Sequence, residues 1–174
     1  MKETKEGYPF LMACRRKPTP YTPIWLMRQA GRYMKEYRGL RKKYSFLEMC
    51  KSPELVAKVT LLPIEKFKLD AAIIFSDILI PLEPMGVEFE FAKGEGPVFH
   101  HPVREMRDVQ ALRVIEPEEE TSFLMGAIQI VRKELEGKIP LIGFSGAPFT
   151  LASYIIEGGH SNNYVLTKGL MYQN

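Results

Sequence analysis

The sequence predicts an α/β fold, and three observations point to it. Two apolar runs, Ala71–Phe75 and Ile139–Phe144, lack the alternation of a half-exposed strand and fit strands buried on both faces of a parallel sheet. Between them lies the strongest helical pattern of the chain, with Phe123, Leu124, Ala127, Ile128, Val131 and Leu135 on one face. Each apolar run also hands over abruptly to polar residues: Ile24–Met27 to Arg28, Ala71–Phe75 to Ser76 and Asp77, Ile139–Phe144 to the Ser145-Gly146 turn. Polar groups delivered at the C-terminal ends of buried strands build ligand sites in α/β barrels and in doubly wound sheets alike.

The elements follow in order. The first dozen residues read as a loose or helical arm, and 17–23, with three prolines, as an extended connector. Ile24–Met27 is the first expected strand, and 33–44 reads as a helix plus loop. Ser52-Pro53-Glu54 is a helix start: serine caps, proline fits the first helical position, and glutamate complements the dipole. Leu55, Val59, Leu62, Ile64 and Phe67 carry the helix onward, with a kink or division expected at Pro63 and an end at Leu69-Asp70. Ala71–Phe75 is the second strand, and 78–82 a loop or short helix. Val87–Phe91 alternates apolar and acidic residues as a half-exposed strand does; a turn over 93–97 lets Val98-Phe99 pair back as a hairpin. Pro117 opens a helix whose first turn holds Glu118, Glu119 and Glu120 and whose end is marked by Gly137, so the acidic run is a helix-start device. Ile139–Phe144 is the next strand, a helix runs from Pro148 to Gly158-Gly159, and 164–172 reads as a further helix.

Composition narrows the function classes. The chain has 174 residues, 45% hydrophobic and 26% charged, enough for one domain with a real core. A formal charge of +3 is too small an excess to point to nucleic acid, and the basic run 38–43 reads as a solvated helix face. Cys14 and Cys50 stand apart from each other and from any histidine, so free thiols in a reducing compartment are expected. The mixed-charge start with no apolar segment behind it predicts no secretory signal, and no run of about 18 apolar residues predicts a membrane span. A cytoplasmic location is therefore expected. His100, His101 and His160 read as structural or exposed residues.

The most informative stretch is Pro23-Ile24-Trp25-Leu26-Met27-Arg28-Gln29-Ala30-Gly31-Arg32. An apolar run ending in two arginines with a glycine between them brings planar cations to a strand end, where each guanidinium can fork onto a carboxylate. Asp77 after the second buried run reads either as a helix cap or as a charged centre placed for chemistry.

The decamer resembles the N-terminal signature of the uroporphyrinogen decarboxylase family. The stretch Gly143-Phe144-Ser145-Gly146-Ala147-Pro148-Phe149-Thr150-Leu151-Ala152-Ser153-Tyr154-Ile155-Ile156-Glu157-Gly158 resembles the family's second signature, and Phe75-Ser76-Asp77 is a third match. The resemblance covers nearly the whole chain from Tyr8. It implies a (β/α)8 TIM barrel, of which residues 1–174 are the N-terminal part, since such barrels run to about 250 residues. It implies a carboxy-lyase that converts the four acetate side chains of uroporphyrinogen III to methyls, giving coproporphyrinogen III, with no metal or organic cofactor. It implies substrate binding by Arg28, Gln29, Ala30, Gly31, Arg32, Arg41, Asp77 and Tyr154. Asp77 is the expected catalytic centre, held ionised by neighbouring arginines, and Arg28 the candidate proton donor. Phe144 and Phe149 are expected in the core. A homodimer is implied for the full-length form, and neither nucleic acid nor membrane is expected as a partner. The alternatives are a corrinoid-linked methyltransferase of the same superfamily and a non-catalytic tetrapyrrole-binding fragment.

Overall fold

The computed structural model describes residues 7–92 and 96–172, and the chain divides into two compact units. The first comprises the residues through Ser76 together with Phe123–Phe144; the second comprises Asp77–Ser122 and the residues from Ser145 onward.

The first unit begins with α1 (Pro9–Cys14), α2 (Lys35–Arg41), α3 (Phe46–Lys51) and α4 (Pro53–Lys66). The starts of α3 and α4 have chemical reasons. Ser45 caps α3 in a reciprocal box, its hydroxyl accepting from the Glu48 N–H at 3.2 Å while the Glu48 carboxylate accepts from the Ser45 N–H at 2.6 Å. Ser52 then caps α4 by accepting from the Leu55 N–H, with Pro53 at the first helical position as expected. Pro63 does not divide α4, which continues to Lys66. It stands near the end, where few residues follow it, and its buried ring packs against the core.

The parallel pair is β1 (Ala72–Ile73) beside β4 (Leu141–Ile142), in the register Ala72 to Leu141 and Ile73 to Ile142. Both lie inside the expected apolar runs but are shorter. Between them comes α7 (Ser122–Glu134), whose Ala127 and Val131, with Leu135 just beyond, meet Val56 and Ala57 of α4 and Ala72 and Ile74 in one buried cluster. A second cluster joins Met34, Tyr37, Met49, Val59 and Leu62. Phe75 packs against both, edge-on to Tyr37 at 6.0 Å and to Phe46 at 5.7 Å between ring centroids. The buried Thr60 hydroxyl accepts from the Phe75 N–H at 2.9 Å, satisfying the backbone where β1 has ended.

Two expectations fail here. The helix expected from Pro117 is broken: α6 (Pro117–Glu120) stops at Thr121, and α7 starts anew. The Thr121 hydroxyl joins the Thr121 N–H on the Pro117 carbonyl, at 2.5 and 2.9 Å, and the Thr121 backbone leaves the helical conformation at φ −118, ψ 32. Ile24–Met27 is not a buried strand. Ile24, Leu26 and Met27 are 49%, 57% and 78% exposed, and the backbone bonds of Ile24 and Leu26 go to the Asp70 and Gln29 side chains, the Asp70 N–H and a local turn instead of a sheet.

The second unit carries a 3-10 turn (Ile80–Leu82), the hairpin β2 (Phe89–Ala92) and β3 (Gly96–Phe99), α5 (Met106–Gln110), α6, α8 (Pro148–Glu157) and α9 (Val165–Tyr172). The hairpin register runs Phe89 to Phe99 through Ala92 to Gly96; of the turn expected over 93–97, residues 93–95 lie outside the described residues, and Gly96 and Pro97 belong to β3, already paired with Ala92 and Phe91. The hairpin is tied to the end of α8, where the Phe99 N–H donates to the Gly158 carbonyl and the Val103 N–H to that of Ile155. Gly158 ends α8 at φ +83, the left-handed conformation that favours glycine. Gly159 follows at φ +154, where a Cβ would come within 2.8 Å of the Pro97 carbonyl oxygen.

Candidate active site

In the first unit the arginine segment is shaped by a tight turn. The Gln29 N–H donates to the Leu26 carbonyl at 3.0 Å, and Arg28 takes φ +57. Left-handed backbone in a residue with a Cβ is strain, and strain of this kind concentrates at binding and catalytic positions. Two donor–acceptor sets tie the turn to the residues just before β1. The Ile24 N–H donates to Asp70 Oδ2 at 2.8 Å, the Asp70 N–H donates to the Ile24 carbonyl at 2.9 Å, and the Tyr21 hydroxyl donates to Asp70 Oδ1 at 2.7 Å. The Gln29 amide then bridges inward: its nitrogen donates to the Ala71 carbonyl and its oxygen accepts from the Leu26 N–H, each at 3.3 Å.

Gln29 is only 2% exposed, and its side chain holds the loop. The polar residue was legible in the sequence; its inward direction was not. Arg28 and Arg32 are exposed, and neither guanidinium makes a hydrogen bond or ion pair with another described residue. Gly31 and Ala30 are half-buried between them. The Tyr33 hydroxyl donates to the Gln29 carbonyl, and Arg38 donates to the Arg32 and Tyr33 carbonyls at 2.8 and 2.9 Å, closing the loop from its far end. Arg41, the last residue of α2, is more committed: it donates to the Tyr44 carbonyl at 2.7 Å and lies over the Phe46 ring at 5.9 Å. Burial raises the pKa of the Tyr37 phenol, and the charges of Arg41 and Arg32 pull it back. Two of the three sequence-singled arginines therefore act on one buried tyrosine.

In the second unit Asp77 opens the segment that leads into the 3-10 turn, and its Oδ1 accepts from the Leu79 N–H at 2.9 Å. Burial raises its pKa above the ordinary 3.8, and the Leu79 N–H opposes that shift less strongly. The net direction is opposite to the expectation that arginines hold it ionised. Of the two readings made from the sequence, the capping one is visible: Asp77 caps a turn. Ile78 next to it packs against Gly146, where a Cβ would lie 3.2 Å from that of Ile78 and 2.7 Å from Leu151 Cδ2.

Tyr154, on α8, lines a cleft of about 170 Å³ with Thr150, Ser153, His160, Ser161 and Tyr164. The Ser153 hydroxyl donates to the Thr150 carbonyl, and Ser161 accepts from the Tyr164 N–H. Phe149 is 61% exposed at the same cleft, and Phe144, in the first unit, is 43% exposed; neither is the core residue expected. His100, His101 and His160 are all exposed, as expected.

Fold and residues define the class first. The chain superimposes on a solved methyltransferase from Methanosarcina mazei with a TM-score of 0.67 and 19% identity, over 95% of this chain and 48% of that one. That likeness bears on fold alone, and it agrees with the α/β character of the helices and parallel strand pair described above. The chain belongs to the uroporphyrinogen decarboxylase family, whose model matches residues 6–174. It is 65% identical to the uroporphyrinogen decarboxylase of Carboxydothermus hydrogenoformans over 94% of this chain and 47% of that protein. It is 62% identical to that of Sorangium cellulosum over 95% and 47%, and 55% identical to that of Geobacter sulfurreducens over 94% and 47%. The chain thus spans about half the length of the curated relatives it matches. Among the described residues, no helix is long and apolar enough to cross a membrane.

Proposed function

We propose that this chain supplies the arginine, aspartate and tyrosine residues of a uroporphyrinogen decarboxylase, as the N-terminal portion of a single TIM-barrel domain. The observation that carries the reading is 65% identity, over nearly all of this chain, to a protein of that name. The exposed guanidiniums of Arg28 and Arg32, neither hydrogen-bonded nor ion-paired among the described residues, support it, because a substrate bearing several carboxylates needs fixed cations, and arginine meets each in a two-point fork.

In this reading Asp77 accepts the pyrrole N–H groups of the tetrapyrrole and offsets the positive charge on a pyrrole protonated at carbon. That cation is the electron sink: the electrons of the bond to the carboxyl carbon flow into the ring, carbon dioxide leaves, and protonation of the exocyclic carbon yields the methyl as the ring proton is lost. A fixed charge of opposite sign, in place before the ring charge develops, stabilises the transition state more than any other single effect in most catalysis of this kind. Arg28 is the candidate proton donor, and Arg41 and Tyr154 complete the substrate contacts. No external electron sink is required in this scheme. Homodimerisation of the full-length form and a cytoplasmic location belong to the same reading.

Anaerobic incubation with uroporphyrinogen III tests it, with products oxidised and separated by carboxyl number. The preparations are this chain, a version extended to the length of its relatives, and Asp77→Asn in the extended version. Conversion to the four-carboxyl product by the extended chain, lost in the Asp77 variant, is the expected result. A folded extended chain that converts nothing, or that needs a corrinoid, overturns the reading.

A further inference from the structure

Asp70 lies outside every motif so far given a role, yet its carboxylate accepts hydrogen bonds from two points of the segment that delivers the arginines. Oδ1 takes the Tyr21 hydroxyl and Oδ2 the Ile24 N–H, while the Asp70 N–H returns a bond to the Ile24 carbonyl. These three bonds span 46 to 49 residues of sequence. They hold a stretch whose Ile24, Leu26 and Met27 side chains are largely exposed and supply little burial. The segment's place is therefore set by polar bonds to residues 70 and 71, directly ahead of β1, and not by a hydrophobic face.

We propose that Asp70 is a positioning residue for carboxylate binding: it anchors residues 21–26 to the leading end of β1 and so fixes where the Arg28 and Arg32 guanidiniums stand. Two features give the inference its reach. Asp70 precedes Ala71, whose carbonyl holds the Gln29 amide, so one short piece of backbone grips the segment on both sides of the strained Arg28 turn. The grip also uses a carboxylate, and hydrogen bonds to an ionised acceptor are about twice as strong as neutral ones. Uncoupled from it, two cations on a mobile loop lose the fixed spacing that two-point binding of carboxylates needs.

The inference rests on the carboxylate-binding reading above, and its test separates the two. Amide hydrogen exchange is measured on the chain extended to the length of its relatives and, in that version, on Asp70→Asn, Tyr21→Phe and Arg28→Ala/Arg32→Ala. Each is then titrated with uroporphyrin, the stable octacarboxylate porphyrin, by its fluorescence. In Asp70→Asn the Ile24 amide exchanges about tenfold faster, the worth of one hydrogen bond to a charged group, while the Ala72 and Ile74 amides keep their protection. The dissociation constant for uroporphyrin rises by a similar factor of about ten. Tyr21→Phe, which leaves the carboxylate and the Ile24 bond in place, gives a smaller effect of the same kind. In the Arg28→Ala/Arg32→Ala background Asp70→Asn has no further effect on binding, which a merely structural residue would not obey.

Unchanged Ile24 exchange, or faster exchange with an unaltered dissociation constant, overturns the role of Asp70 alone. A wild-type chain that binds no uroporphyrin overturns the carboxylate reading and this inference with it.

Discussion

Arg28 is the residue on which backbone strain and function meet, and the two separate by substitution. At φ +57 a residue with a Cβ bears about 1–2 kcal/mol that glycine does not. Glycine gives back about 0.5–1 kcal/mol through the greater freedom of its unfolded chain. Arg28→Gly is therefore expected to be about 0.5–1 kcal/mol more stable than Arg28→Ala, and both lose the guanidinium equally. For a chain of this size a full kcal/mol moves the thermal midpoint by about 2–4 °C, so calorimetry or urea titration of the two variants side by side resolves the gap. Uroporphyrin binding falls by the same factor in both, because the side chain is gone in both. An alanine variant as stable as the glycine variant, or more so, refutes the argument that Arg28 is held against its own preference.

Asp77→Asn keeps an acceptor for the Leu79 N–H and removes the burden of a buried charge. Because the folded pKa lies above 3.8, the stability Asp77 contributes is present below that value and lost as pH rises through the folded pKa, so the asparagine variant is the more stable at pH 7 and its advantage shrinks toward pH 4, read from urea midpoints. Glu157 runs the other way: the Thr167 N–H and hydroxyl, each at 2.8 Å, hold its pKa below 4.5, so its support of α9 is present above that value and lost as pH falls through the folded pKa. Glu157→Gln accordingly speeds exchange of the Thr167 amide at pH 7, with the difference fading in acid. Gly146→Ala places a methyl 2.7 Å from Leu151 and 3.2 Å from Ile78, and lowers stability by about 1–3 kcal/mol in the same titrations.

What the sequence determined by itself is what periodicity and local chemistry carry. A parallel pair was legible in Ala71–Phe75 and Ile139–Phe144, because strands covered on both faces need uninterrupted apolar residues. The core face of α7 was legible at helical spacing, the starts of α4 and α8 from serine and proline, and the end of α8 from glycine. The Ser45/Glu48 box that opens α3 was equally written in the chain and went unread. Tertiary structure decided the rest. Ile24–Met27 has the composition of a strand, but a strand needs a ladder of neighbours to take its backbone bonds, and here the Ile24 and Leu26 N–H groups go to the side chains of Asp70 and Gln29 and their carbonyls to the single N–H groups of Asp70 and Gln29. Whether Gln29 points at a ligand or into the protein depends on the distant Ala71 carbonyl. The upward shift of Asp77 depends on burial, which the sequence does not display. Residue type and spacing disclose which groups are available for chemistry; their direction and charge state are set by neighbours that only folding supplies.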